Sequence, residues 1–436
     1  MYFITRIYFL LFIFIVCETF AQEGTPFITH FNEAKEFETQ NWSISQDYEN
    51  IMLFANRRGI LTFDGHEWNT IKLPYIPFVV KKNPYNHKVY VGTNNNYGVL
   101  EKNSLGLYEY ISLVPDTLDV GIITKIEFTD STIFFYGEKS ISRHNMENPN
   151  IFKRWNAKNK FFTRIILTSK NTFFNVAGEG LYRLESDTLF PIVTGFYTEN
   201  SEILFSLPYN EQRVIVGTDE SKLYTFDGIK YYNYKINDEG YLKESILADA
   251  VEISDTLIAF ATLYGGVEVV SKKTGKIVYT INYQNGLPDD EIYALGKDNN
   301  NGLWLTHEFG ISRVDFNLPI RNYSTYPGLK GNLISTLWHN NQLYVATNEG
   351  VFYLDEVKDF KEVEIYVKTK PATTKQPTTT QQETGTKEKE TKKPVRKLFS
   401  RLFGSKDEED KDQKEPDTPI EKTKTTSPKP RYVKKN

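Results

Sequence analysis

The side chains best suited to chemistry are few in this sequence and widely spaced. Six histidines stand at positions 30, 66, 87, 144, 307 and 339, with no His-x-His or HExxH spacing among them. Zinc sites draw on closely spaced His, Cys and carboxylate ligands, so neither a metal centre nor a cofactor is expected. The run Asp298-Asn299-Asn300-Asn301-Gly302 looks superficially like a calcium loop. It lacks the alternating oxygens and distal glutamate of that loop and reads as an Asx-rich turn. Nucleophilic catalysis would need a thiol or a shaped serine. Cys17 is the only cysteine, and no G-x-S-x-G elbow occurs. Gly265-Gly266 is not followed by Lys-Ser/Thr, so it is no phosphate cradle. Carboxylates adjoin at Asp289-Asp290-Glu291 and Asp219-Glu220, but glycoside hydrolysis depends on a separation in space that adjacency does not supply. These residues point to a protein without a catalytic centre.

What remains suits recognition. Arg57, Arg58, Asn95, Tyr97, Lys139, Glu179, Asp219, Tyr264, His307, Glu308 and Asn348 all fall in or beside short turns. Charged, amide and aromatic groups on loops over a rigid scaffold can bind a polar ligand, such as an oligosaccharide, or a protein surface. The plainer alternative is that turns are polar because water covers them. A second set, Leu398, Phe399, Leu402 and Phe403, would share one face of a helix over 394–404, ringed by Arg396, Lys397 and Arg401. Such a segment could make weak contact with an anionic membrane or fill a partner's groove.

An internal repeat must position the first set. Met52–Asn56 leads to Gly59, Val89–Thr93 to Gly98, Phe173–Ala177 to Gly180 and Val214–Thr218 to Leu223. Ile258–Thr262 likewise leads to Gly266, Leu303–His307 to Gly310 and Leu343–Thr347 to Gly350. Alternation with a period of two marks strands, and a recurrence of about 40 residues with four short strands marks a β-propeller blade. Aromatics at 14% of the chain, 28 Tyr and 30 Phe among them, agree with an all-β fold. Eight units are readable, at roughly 42–74, 76–116, 123–156, 162–195, 203–238, 244–286, 291–331 and 333–366. They fit a ring of eight four-stranded blades, a ring of seven with a surplus unit, or an open arc. In the seventh unit the fourth strand is expected over Asn317–Tyr326. The recurring glycine is expected to adopt positive φ. In such a blade, the turn between the second and third strands lies on the same rim as the link to the next inner strand. The recognition set is therefore expected along one rim.

The flanks differ from this body. Arg6, the apolar run Ile7–Val16 and Thr19-Phe20-Ala21 read as a signal peptide over 1–21, cleaved before Gln22. The run is shorter than the roughly 20 residues of a membrane span. Lipidation at Cys17 is disfavoured by the bulky residues before it. The expected location is periplasmic or secreted, and the mature propeller, 22–366, would hold no disulfide. From Val367 onward Thr, Lys, Pro, Gln and Glu dominate, so 367–436 is expected to be disordered. That tail carries 19 Lys and Arg against 11 Asp and Glu, leaving 33 against 45 for the rest. An acidic body does not suit nucleic acid.

The stretch Asn285–Asp315 resembles the two-component regulator propeller repeat. Gly286-Leu287-Pro288, Asp298, Gly302, Trp304, Thr306 and Gly310-Ile311 with Asp315 fit that pattern, and Asn41–Asp47 with Gly59 and Phe63-Asp64-Gly65 resembles a first blade. The resemblance implies an extracytoplasmic sensor input that binds a ligand or partner, normally followed by more blades, a membrane helix and a cytoplasmic output. No second apolar segment or kinase motif follows here. Three functions fit: a binding propeller without chemistry of its own, a propeller enzyme acting on glycans, and a scaffold docking through its basic tail.

Overall fold

The computed structural model describes residues 24–31, 38–115, 118–137, 139–156, 161–192, 201–322, 328–355 and 431–434. The expected signal peptide, and the segment 394–404 with Leu398, Phe399, Leu402 and Phe403, lie outside them. Eight four-stranded antiparallel sheets are present. Seven belong to a unit ending at Thr325, and the eighth to a unit from Tyr326 onward.

The seven form a closed propeller. Their inner strands are Asn41–Gln46, Pro77–Lys82, Lys125–Phe128, Phe162–Leu167, Ile203–Pro208, Leu247–Ser254 and Ile292–Lys297, numbered here as blades one to seven. Blades one to six each run outward as a simple meander. Blade seven does not. Its three strands Ile292–Lys297, Leu303–His307 and Gly310–Asp315 are completed by the N-terminal strand Phe27–Phe31, paired from Phe27↔Asp315 to Phe31↔Ile311. The strand expected over Asn317–Tyr326 is therefore not the fourth strand. Asp315 Oδ1 accepts the amides of Asn317 and Leu318 at 3.0 and 3.1 Å, an Asx turn that carries the chain away from the sheet. Phe31 then stacks on Trp304, with ring centroids 5.1 Å apart.

Blade seven also meets blade one. Thr306 Oγ1 donates to Asn41 O at 2.9 Å, and the Asn299 amide donates to Gln46 Oε1 at 2.7 Å. Both the open arc and the ring of eight are thus replaced by a ring of seven. The core lies between successive blades. Leu53, Ala55 and Ile60 of blade one interlock with Val80, Val89, Val91 and Leu100 of blade two, all nearly or fully buried. Each such Val, Leu or Ile side chain stabilises the ring by about 1.5–3 kcal/mol.

The recurrent glycine is required for two different reasons. Gly59 has φ of +143°, and a Cβ there would overlap Ile71 O. Gly98 has no positive φ; it is glycine because a Cβ would overlap Ile111 O and crowd the Tyr110 ring. Six of the seven inner strands carry a register shift just after their first residue, for example at Asn41/Ser43, Phe162/Arg164 and Leu247/Asp249. Such a bulge re-aims the residues that follow it.

The second unit holds one sheet: Leu333–His339, Gln342–Thr347, Gly350–Asp355 and Arg431–Lys434. Every residue of Leu333–His339 is exposed. The tail composition predicts no structure, yet Arg431–Lys434 pairs with Phe352–Asp355. The Gly350–Asp355 strand would otherwise present an open row of backbone donors and acceptors, which an extended segment can fill.

Candidate functional site

The turns between second and third strands do share a rim with the linkers, as backbone hydrogen bonds show. Asn94 N donates to Ile76 O at 2.9 Å, Asp219 N to Glu202 O at 3.0 Å and Tyr264 N to Ser245 O at 3.1 Å. On that rim lie Arg57 and Arg58, both exposed and within 3.6 and 3.9 Å of Glu38 carboxylate oxygens. Lys139, Glu179 and Glu308 are also exposed there, and Tyr264 is 65% exposed.

Other members of the expected set serve the fold. Asn95 sits at φ +58°, and its Oδ1 accepts the amides of Val120 and Gly121, pinning the following linker. Asp219 Oδ1 accepts the Glu202 amide at 2.9 Å. Tyr97 is not a rim residue. The turn is only Asn94-Asn95, so Tyr97 already pairs with Gly92 inside the sheet. It is fully buried, stacks on Phe135 at 4.2 Å and shares a 2.8 Å hydrogen bond with His144 Nε2. His307 ends its strand facing inward and is 1% exposed. Burial lowers its pKa to about 4. Ser312 Oγ lies 2.8 Å from both His307 Nε2 and His30 Nδ1, so two histidines that look unrelated in sequence meet because the N-terminal strand joins blade seven. Asn348 belongs to the second unit, where its Oδ1 accepts the Asn332 amide at 2.6 Å. Asp298 is bound into its turn. Its carboxylate accepts from the Asn300 and Gly302 amides, Trp304 Nε1 and Arg313 Nε at 2.8–2.9 Å.

The densest charged grouping lies on the inner strands, where no motif marks it. Lys81 Nζ is 2.7 Å from Glu127 Oε2 and donates to Ile126 O at 2.9 Å. Arg164, 7% exposed, places Nη2 at 3.4 Å from Glu127 Oε1. Burial would raise the Glu127 carboxyl, but Lys81 and Arg164 outweigh it and hold the pKa below the usual carboxylate range. Lys125 and Asp249 are half-buried and interact electrostatically, although they stand on blades three and six. Those blades are not neighbours in the ring, so this attraction acts across the central channel. Lys125 also feels Arg164, Glu127 and Lys81. Five charges from four blades therefore converge on the axis: three cations and two carboxylates. Tyr136 backs them, its buried hydroxyl beside the Ile165 backbone without completing a hydrogen bond. The available signal was a charge inside an apolar inner strand, as in Lys125–Phe128 and Phe162–Leu167. It becomes a cluster only once the ring is closed.

Two clefts lie elsewhere. One of about 430 Å³ runs beside Glu220, Lys222 and the helix Glu239–Ser245. The other, about 510 Å³, lies among Tyr85, Phe128, Asp130 and Lys170 on the opposite face.

No family model and no curated protein sequence matches the chain. Solved structures do. The extracellular domain of the putative hybrid two-component system BT3049 from B. thetaiotaomicron is similar over 78% of this chain and 49% of that one, with TM-score 0.57 and 14% identity. The corresponding domain of BT4673 from the same organism is similar over 76% of this chain and 45% of that one, with TM-score 0.51 and 15% identity. What is shared is the propeller fold. The chain spans about half the length of those domains. Virginiamycin B lyase from Staphylococcus aureus is similar over 66% of this chain and 99% of that one, with TM-score 0.52 and 14% identity. The fold thus serves an enzyme as well as extracellular domains of signalling proteins. Among the described residues no helix is long and apolar enough to cross a membrane.

Proposed function

We propose that the ring is an extracytoplasmic binding module without chemistry of its own, taking a polar ligand on the face where turns and linkers meet the channel. The observation that carries this reading is the convergence of Lys81, Lys125, Glu127, Arg164 and Asp249 on one axis inside a closed, apolar scaffold. Polar groups concentrated in a concave site on a rigid frame suit recognition. The likeness to extracellular domains of two-component systems supports a sensor-type role and an exported location.

The test is the thermal midpoint of the full chain against a panel of neutral and acidic oligosaccharides. A ligand that binds the folded state raises the midpoint by mass action. Turnover of any panel member that disappears in Asp249→Asn or Glu127→Gln would replace this reading with a glycan-active enzyme.

A further inference from the structure

Several buried or half-buried cations in the ring are matched by carboxylates, and Lys125 is not. Lys81 and Arg164 share Glu127, Lys272 Nζ lies 2.6 Å from Glu252, and Arg313 is held by Asp298 and Asp315 at 2.8 Å. Lys125 has no ion pair or hydrogen bond among the described residues; its carboxylate counterpart, Asp249, reaches it only from across the channel. A half-buried charge without a contact partner keeps part of its desolvation cost, and a site that holds one gains when a ligand supplies the opposite charge.

The strand register says where that charge is. Lys125 is the first residue of its inner strand and pairs with Tyr136. Arg164 and Asp249 each follow the bulge near the start of theirs. Inner strands begin at the rim where the linkers enter. These three side chains therefore form the outer layer of the channel, and Lys81 with Glu127 stands one layer deeper. Arg164 Nε is itself buried without a hydrogen-bond partner. The outer layer thus offers two cations and one carboxylate to whatever enters from the rim.

We propose that the channel mouth binds a sugar carrying an acidic group, the acid lying against Lys125 and Arg164 while Asp249 accepts a hydroxyl. This inference deepens the binding reading above and rests on it. An ammonium supplies a point charge to a carboxylate or sulfate, and a guanidinium adds directional donors. Asp249 turns away a second negative charge, which favours a singly charged residue bearing hydroxyls over a compact polyanion.

The experiment uses the full chain, its Lys125→Met and Lys125→Arg variants, and four probes: sodium acetate, an oligogalacturonide, a sulfated oligosaccharide and a neutral gluco-oligosaccharide. Each is compared with sodium chloride at equal ionic strength. Acetate should raise the wild-type melting midpoint above chloride, and Lys125→Met should erase that difference. An acidic oligosaccharide should bind at least tenfold more tightly to wild type than to Lys125→Met, with Lys125→Arg recovering most of the loss. Without ligand, Lys125→Met should melt at or above the wild-type midpoint, because the unpaired charge is gone; a large drop would mean that Lys125 is a structural ion-pair partner and would overturn the proposal. Identical acetate responses in wild type and Lys125→Met would overturn it too. Binding of the neutral probe alone overturns the acidic-ligand inference and leaves the binding reading standing. A Lys125-dependent acetate response with no sugar bound supports the anion site and counts against oligosaccharide recognition. Preference between the galacturonide and the sulfated sugar identifies the acid.

Discussion

Blade seven and the eighth sheet start from the same grammar and end in opposite environments. Leu303–His307 and Gly310–Asp315 form a hairpin turned at a glycine of positive φ, and so do Gln342–Thr347 and Gly350–Asp355. In blade seven every residue of Leu303–His307 is buried, because Leu303 and Leu305 pack with Val267 and Val269 of blade six while Trp304 packs with Met52 and Phe54 of blade one. In the eighth sheet the strand Leu333–His339 is exposed throughout, with Leu333, Ile334, Leu337 and Trp338 between 57 and 70% accessible. Strand alternation and turn chemistry make a blade locally. Stacking against two neighbours is what makes it stable.

Two tryptophans give the sharpest test of that contrast. Trp304, 3% exposed, contacts Phe31, Phe54 and Phe63. Trp304→Ala should cost about 3–5 kcal/mol in denaturant unfolding.

The seam of blade seven also carries a pH dependence. His307 has a folded pKa of about 4 against an ordinary 6.5. Between those values the unfolded chain binds more protons, so stability is full above about pH 6.5 and is lost as pH falls toward 4, by about 3 kcal/mol from this residue. His307→Gln should flatten chemical denaturation midpoints over that window; an unchanged pH profile would show that His307 is not responsible for it.

Packing within blade two yields a smaller effect. Gly98→Ala places a methyl on Ile111 O and should cost about 1–3 kcal/mol. Neutrality there would mean that the outer strand Tyr108–Ser112 yields freely. The smallest change is expected from Trp338→Ala. At 63% exposed its cost should stay within about 0.5 kcal/mol. A loss equal to that of Trp304→Ala would end the contrast between the two sheets.

The repeat was legible because alternation, Asx-Gly turns and aromatic content are local properties that survive in each unit. Six of the eight units supply all four strands of their sheets, while the seventh and eighth supply three and take the fourth from Phe27–Phe31 and Arg431–Lys434. Ring closure was not legible. Phe27–Phe31 pairs with a strand nearly three hundred residues away, and nothing local in Phe27-Ile28-Thr29-His30-Phe31 names that partner. The rim was readable as a place, and Arg57, Arg58, Lys139, Glu179, Tyr264 and Glu308 do lie exposed on it. Tyr97 and His307 are buried and not on the rim, because one residue of turn length decides whether a side chain faces water or the core. The channel cluster was not legible because Lys81, Lys125, Arg164 and Asp249 are isolated charges on separate strands until closure brings them together.

Closure by the N-terminal strand completes blade seven, and blade seven in turn meets blade one and closes the channel. Hydrogen–deuterium exchange on the full chain tests it directly. The amides of Phe27–Phe31 that face Gly310–Asp315 should be protected to the level of that strand, well above the exposed strand Leu333–His339. Exchange of Phe27–Phe31 at the rate of an unstructured segment would contradict the closed ring of seven, and with it the channel site.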